Sequence, residues 1–267
     1  MKQAPSRLLP AASLAALFVL MLAFMGVIGA VGRPSEAAQP AAPVGGSGPT
    51  EIVAELSKAS TGNVSDAVDE ATGQRGFMFH DMKPAFRSQL TRKVVGRAAT
   101  ALLRPVLKND ARAYENAALQ VLDEAAPGSV LVYVLENGLE IAGLGNLMAT
   151  TAKVRGLAGV IIDGGVRDVD EVEEIGLPVW SRSITPATSV GRYVSVSKQQ
   201  PVSCGGVQVR PGDYIVADWT GVVVVPQEKI AEVIVLLRQY DAKETRMVPI
   251  IKETKSMLKA LAIYGRY

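Results

Sequence analysis

The chain has 267 residues, 48% hydrophobic and 20% charged, a balance that excludes disorder and collagen-like repeats and suffices for a real core. One cysteine, Cys204, excludes a disulfide scaffold and a multi-cysteine zinc centre; one histidine, His80, excludes paired-histidine metal sites and argues against a histidine-based hydrolase. Lys2, Arg7 and Arg33 outnumber Glu36 within residues 1–38, so the remainder carries 25 basic and 25 acidic residues and has no field to gather nucleic acid.

Leu8 to Gly32 carries no charge and follows Lys2 and Arg7. As a helix it would reach roughly 37 Å, against a hydrocarbon core of about 30 Å. Residues 1–32 therefore read as a signal anchor or signal peptide that places the following domain outside the cytoplasm, membrane-tethered or released. Residues 33–50, with four prolines and three glycines, read as a linker, and 51–267 as one folded domain.

Thr50 can cap a helix through Ser57, and Asn63-Val64-Ser65, formally a glycosylation sequon, fits a second helix over Val64–Ala71. Val94–Leu103 is β-branched and predicts a strand, and Ala111–Ala125 has helical spacing that stops at Pro127-Gly128. Strands follow at Ser129–Leu135, Leu157–Ile162 and Pro178–Ser183, with helices at Leu147–Arg155 and Asp168–Ile175. Short strands come next: Tyr193–Lys198, Val202–Cys204, Val207–Val209, Tyr214–Asp218 and Val222–Val225, broken by glycine turns. Helices at Gln227–Glu244 and Ile250–Ile263 close the chain. Together these predict a mixed α/β domain, with βαβ units joined to a meander.

Two strand-to-helix stretches could carry chemistry. In Gly143-Leu144-Gly145-Asn146-Leu147-Met148-Ala149 the glycines admit a close ligand, and the N–H groups at the helix start attract an anion. The stretch lacks the acidic partner of a dinucleotide fingerprint, and Asp163 mimics one only from within a second glycine turn. In Asp163-Gly164-Gly165-Val166-Arg167-Asp168 an arginine beside a carboxylate can divide labour, the guanidinium binding an oxo-acid and the carboxylate a divalent cation. The plainer alternative is that Asp168 caps its helix, while Asp170 and Glu171 complement the dipole. Parallel βα turns share one sheet edge, which favours an oxo-acid and metal site over two separate turns.

From Leu56 to Pro226 the chain resembles the proteins similar to the regulator of ribonuclease activity A, which include the 4-hydroxy-4-methyl-2-oxoglutarate aldolases. The resemblance rests on Asn63-Val64-Ser65-Asp66-Ala67-Val68-Asp69, Asn146-Leu147-Met148-Ala149-Thr150 and Gly159 to Asp168. It continues in Pro201 to Gly206, Arg210-Pro211-Gly212-Asp213 and Ala217 to Pro226. It implies an α/β fold: a swivelling β/β/α domain with a central mixed sheet or partly open barrel, here preceded by an N-terminal hydrophobic helix, assembled as homotrimers or homohexamers.

It also implies a divalent-metal lyase, using Mg²⁺ or Mn²⁺, that releases pyruvate from 4-hydroxy-2-oxo acids and decarboxylates oxaloacetate. Arg167 would contact the pyruvyl oxygens and Asp168 would ligate the metal. Gly145, Asn146, Leu147 and Met148 would line the substrate, with the N–H groups of Leu147 and Met148 on its carboxylate. Glu244, on a C-terminal helix, is the candidate for a carboxylate supplied to a neighbouring subunit. One position departs from the pattern. The aldolases place an acid 21 positions before the arginine, and here that residue is Asn146, which can hold a water but cannot take its proton. A non-catalytic oxo-acid-binding or protein-binding regulator of the same fold is the competing reading. His80 is read as a surface or capping residue, Cys204 as a small packing residue, and Asp66 and Asp69 as solvated or capping.

Overall fold

The computed structural model describes residues 48–89, 92–106 and 115–265, which all belong to one compact unit. Helices α1 (Pro49–Lys58) and α2 (Thr61–Thr72) come first, then the short strand β1 (Lys83–Pro84) and the long strand β2 (Val94–Pro105). The chain continues through α3 (Ala117–Glu124), β3 (Val130–Leu135), β4 (Ala142–Leu144), α4 (Asn146–Val154), β5 (Gly159–Val166), α5 (Val169–Ile175) and β6 (Val179–Ile184). Then follow β7 (Tyr193–Lys198), β8 (Val202–Cys204), β9 (Val207–Val209), β10 (Tyr214–Ala217), β11 (Val222–Val225), α6 (Ile230–Thr254) and α7 (Met257–Tyr264).

A mixed sheet runs in the order β1-β6-β5-β3-β2-β10-β11. Strands β2, β3, β5 and β6 are parallel, and β10 and β11 are antiparallel additions. Because β6 occupies one side of β5, β3 and then β4 lie in series along the other. One segment reaches both ends of this path: Phe77 bridges Val223 of β11, and seven residues later Pro84 pairs with Trp180 of β6. The sheet is thereby a nearly closed barrel, as the swivelling-domain expectation required.

Side-chain alternation sorts the core. Val130, Val132 and Val134 of β3 point into the barrel with Ile161, Trp180, Cys204, Ile215 and Val224. Leu131, Tyr133 and Leu135 point outward, under α3, α4 and α5. On β10 and β11, Tyr214, Val216, Val223 and Val225 face α2 and α6. Both faces are buried, which is why these strands read as continuous apolar runs.

Several boundaries differ from the sequence reading. Helix α2 starts three residues early because the Ser60 hydroxyl accepts from the Asn63 N–H at 3.0 Å. Of the helix expected over Ala111–Ala125, the described part begins at Ala117. Gly143, expected in a turn, lies in strand β4, where a Cβ would come within 2.6 Å of Leu135. Strand β5 runs on through Asp163-Gly164-Gly165, with a shift in its register against β6 between Ile162 and Gly165. The final helices break at Lys255 (φ 53°) instead of before Ile250. Pro249 has no N–H to donate to the Thr245 carbonyl, and both residues are exposed, where water can donate to it.

The exported or membrane-anchored placement is corrected. Among the described residues no helix is long and apolar enough to cross a membrane, and Leu8–Gly32, on which that placement rested, lies outside them. One relative reported below is matched over 93% of its length by 79% of this chain, and so offers no counterpart for a leader.

Candidate functional site

Strands β4 and β5 are parallel neighbours, and each delivers the chain directly into a helix. The starts of α4 and α5 therefore meet at one edge of the sheet, where the Arg167 N–H donates to the Leu144 carbonyl at 3.0 Å. Gly145 is the N-cap of α4, and the first-turn N–H groups of that helix have no acceptor within it.

Asp168 does not make the capping hydrogen bond that its turn offers. It sits at the N-cap of α5 in the left-handed region (φ 54°, ψ 41°). Its Oδ2 instead accepts the Asn146 N–H at 3.1 Å, at the start of the other helix. Asp170 and Glu171 do occupy the first turn of α5, as expected of dipole partners. The carboxylate has been turned away from its own helix at the cost of an uncommon backbone conformation, a pattern that clusters at functional positions.

Arg167 stands beside it, with Nε 3.5 Å from Asp168 Oδ2, and the two side chains remain 40% and 30% exposed. Gly145 is packed against both: a Cβ there would lie 2.6 Å from Asp168 Oδ2 and 2.8 Å from Arg167 Nε. The glycine permits close approach. Its φ of −135° is open to any residue. The structure thus brings together Gly145, Asn146, Arg167 and Asp168. Leu147 is 79% exposed at the mouth, and Met148 packs partly into the core beneath α4. Thr150 and Thr151 bond back to the Asn146 and Leu147 carbonyls at 2.8 and 3.0 Å, which steadies the first turn.

Among the described residues no group of three or more His, Cys, Asp and Glu side chains converges as a metal cage. Asp168 offers one accessible carboxylate, a donor set that fits Mg²⁺ or Mn²⁺ held by a single acid and several waters, and does not fit zinc. Glu244 lies half-buried on α6, which packs on α1, α2 and α7. Its part in a neighbouring copy's site is a proposal.

Other candidates fall elsewhere. His80 is exposed, and Cys204 is fully buried, 3.9 Å from Met78 Sδ, with burial pushing its thiol well up. Asp69 accepts the Gly76 N–H at 3.2 Å, an ordinary loop tie. Asp163 is no ribose ligand: Arg182 donates to its Oδ1 at 2.9 Å, and the Gly205 N–H to its Oδ2 at 2.7 Å. Arg182 also donates to Asp81 Oδ2 through Nε and Nη2, at 3.0 and 2.9 Å. The sequence reading missed this ionic tie, whose signal was the arginine inside strand β6.

Comparison with known proteins follows the same lines. A family model described as RraA-like (Aldolase/RraA) matches residues 61–224. A Halalkalibacterium halodurans protein provisionally named 4-hydroxy-4-methyl-2-oxoglutarate aldolase is 29% identical over 210 residues, covering 79% of this chain and 93% of that protein. Protein DlpA of Legionella pneumophila is 29% identical over 183 residues, 68% of this chain but 29% of that longer protein. Streptomyces coelicolor RraAS2, described as an unusual member of the RNase ES inhibitor RraA family, superimposes with a TM-score of 0.64 at 30% identity, over 75% of this chain and 96% of that one.

Proposed function

The chain belongs to the RraA-like family, and from that premise we propose that it is a divalent-cation-dependent lyase cleaving 4-hydroxy-2-oxo acids of the 4-hydroxy-4-methyl-2-oxoglutarate type to pyruvate, with oxaloacetate decarboxylation as a second activity. The observation that carries this reading is the Asp168 side chain turned from its own helix onto the Asn146 N–H, with Arg167 beside it.

In the reaction the 4-hydroxyl proton leaves, the C3–C4 bond breaks, and C4 becomes a carbonyl. The bonding pair passes into an enolate of pyruvate, which C3 protonation then converts to pyruvate. Arg167 binds and orients the 2-oxo acid, and its guanidinium offsets the negative charge that develops on the 2-oxo oxygen. The free N–H groups of Leu147 and Met148 hold the substrate carboxylate at the helix start. Asp168 holds the cation, Mg²⁺ or Mn²⁺, which when bound supplies Lewis-acid stabilisation of the same developing charge. A homotrimer or homohexamer in which Glu244 of one copy approaches the site of the next is part of this proposal.

Asn146 favours a second reading. With an amide where the aldolases have an acid, the site can bind an oxo-acid and a water yet lacks a proton acceptor at this position, as suits a non-catalytic oxo-acid-binding or protein-binding regulator. A coupled pyruvate-release assay on the full chain separates the two, using oxaloacetate and 4-hydroxy-4-methyl-2-oxoglutarate with and without Mg²⁺ or Mn²⁺. Cation-dependent release supports the lyase. Pyruvate binding by calorimetry without release supports the oxo-acid-binding regulator, and neither binding nor release would leave only the protein-binding one.

A further inference from the structure

A second cleft, of about 510 Å³, opens between α2, the segment 75–83 and β11, and none of the residues lining it belongs to the Gly145–Asp168 site. We propose that this cleft binds a small organic anion with a flat apolar body, which lies against Phe77 and Phe79 and pairs with the Arg75 guanidinium.

The argument starts with the backbone. Segment 76–79 is held as an added edge on β11: the Val224 N–H donates to the Gly76 carbonyl and the Met78 N–H to the Val222 carbonyl, both at 2.9 Å. Phe79 is tied by its N–H to the Gly205 carbonyl at 2.8 Å. A Cβ on Gly76 would meet Val68 at 2.5 Å, so this stretch lies hard against α2. On that rigid edge Phe77 and Phe79 are 44% and 40% exposed, an unusual use of two large rings.

The Arg75 guanidinium stands over both rings, 4.5 Å from one centroid and 5.2 Å from the other, and its Nε donates to the Phe77 carbonyl at 2.6 Å. Among the described residues no carboxylate pairs with it. It is therefore a pre-oriented fork with terminal N–H groups to spare. Charge points the same way, because the lining has one carboxylate, Asp66, against Arg75 and Lys83. Phe77 and Phe79 give the lining apolar surface, so a fully hydrated inorganic ion uses only part of what the cleft offers.

The test is a fluorescence titration of the full chain with 1-anilinonaphthalene-8-sulfonate, an aromatic anion. Saturable one-to-one binding is expected, weakened tenfold or more in Arg75→Gln and in Phe77→Ala, and unchanged in Arg104→Gln, an arginine outside the cleft. Benzenesulfonate should displace the dye while equal sulfate does not, which keeps the proposal testable if a variant fails to fold. Non-saturating binding, wild-type affinity in Arg75→Gln, or displacement by sulfate as readily as by benzenesulfonate would overturn it. Loss of dye binding as protein concentration rises would also overturn it, since a second copy would then cover the cleft.

Discussion

Gly145→Ala is the sharpest probe of the Arg167–Asp168 site. The new methyl group would fall 2.6 Å from Asp168 Oδ2 and 2.8 Å from Arg167 Nε, where ordinary contact begins at 3.4 Å. The carboxylate must therefore withdraw by about 0.8 Å and the guanidinium by about 0.6 Å, taking the difference between those figures. The Asn146 N–H bond to the same oxygen is already 3.1 Å long, so a shift of that size directed along it would stretch it beyond bonding range. Losing a bond to a charged group costs the fold about 1.5–3 kcal/mol, and displacing Asp168 and Arg167 should weaken cation and pyruvate binding by about tenfold or more. Misplacing reacting groups by about 1 Å costs turnover on the order of 10²-fold. The backbone itself takes on no strain, because φ at this position (−135°) suits alanine, so the fold loses only that bond, about a few degrees in thermal midpoint. Calorimetric titration with Mn²⁺ and then pyruvate should show the loss, with a thermal midpoint within a few degrees of wild type. Wild-type affinity in Gly145→Ala would refute the close-packed site, and so would a loss of binding that merely tracks unfolding.

Three further outcomes are expected. Asp168→Ala should abolish cation-dependent pyruvate binding, whereas Arg167→Ala should weaken pyruvate by about 2–4 kcal/mol and spare the cation, both read by calorimetry; unchanged binding in both would leave the pair without a ligand. Asn146→Asp should raise pyruvate release by ~10²–10⁴-fold in the coupled assay, by supplying a proton acceptor, and a fall in rate would mean that another group is the base. The hydrogen bonds from Arg182 hold the Asp81 carboxyl below its ordinary value of 3.8, so the stability it contributes is complete above that pH and is lost as pH falls beneath it. Thermal melts between pH 5 and 2.5 should accordingly fall more steeply in wild type than in Asp81→Asn, and parallel profiles would contradict this.

The strands were legible because their residues are apolar on both faces, as in Val130–Leu135 and Val222–Val225, and no other state suits such runs. The pairing of Gly145–Asn146 with Arg167–Asp168 was legible from two parallel βα turns. What escaped depended on distant partners. Gly143 and Gly164-Gly165 looked like turns because glycine carries no hint of the strand it will join, and β4 and the end of β5 are defined only by each other. The gap expected between Glu244 and Ile250 is helical because the cost of Pro249 depends on whether the freed carbonyl meets water or protein. The turned carboxylate of Asp168 could not be foreseen, since its left-handed backbone is stabilised by an N–H 22 positions earlier.

The segment that touches both ends of the sheet bears on how the protein is made. Phe77 meets Val223, 146 positions later, and Pro84 meets Trp180. A chain emerging from the ribosome therefore holds α2 and its following segment without their partners until β11 has been synthesised. Contacts of such sequence separation slow folding and leave apolar side chains such as Val64, Ala67 and Val68 uncovered while they wait. In the finished protein the same arrangement should make the Met78 and Val224 amides exchange together, because freeing segment 76–79 from β11 breaks the bonds of both at once.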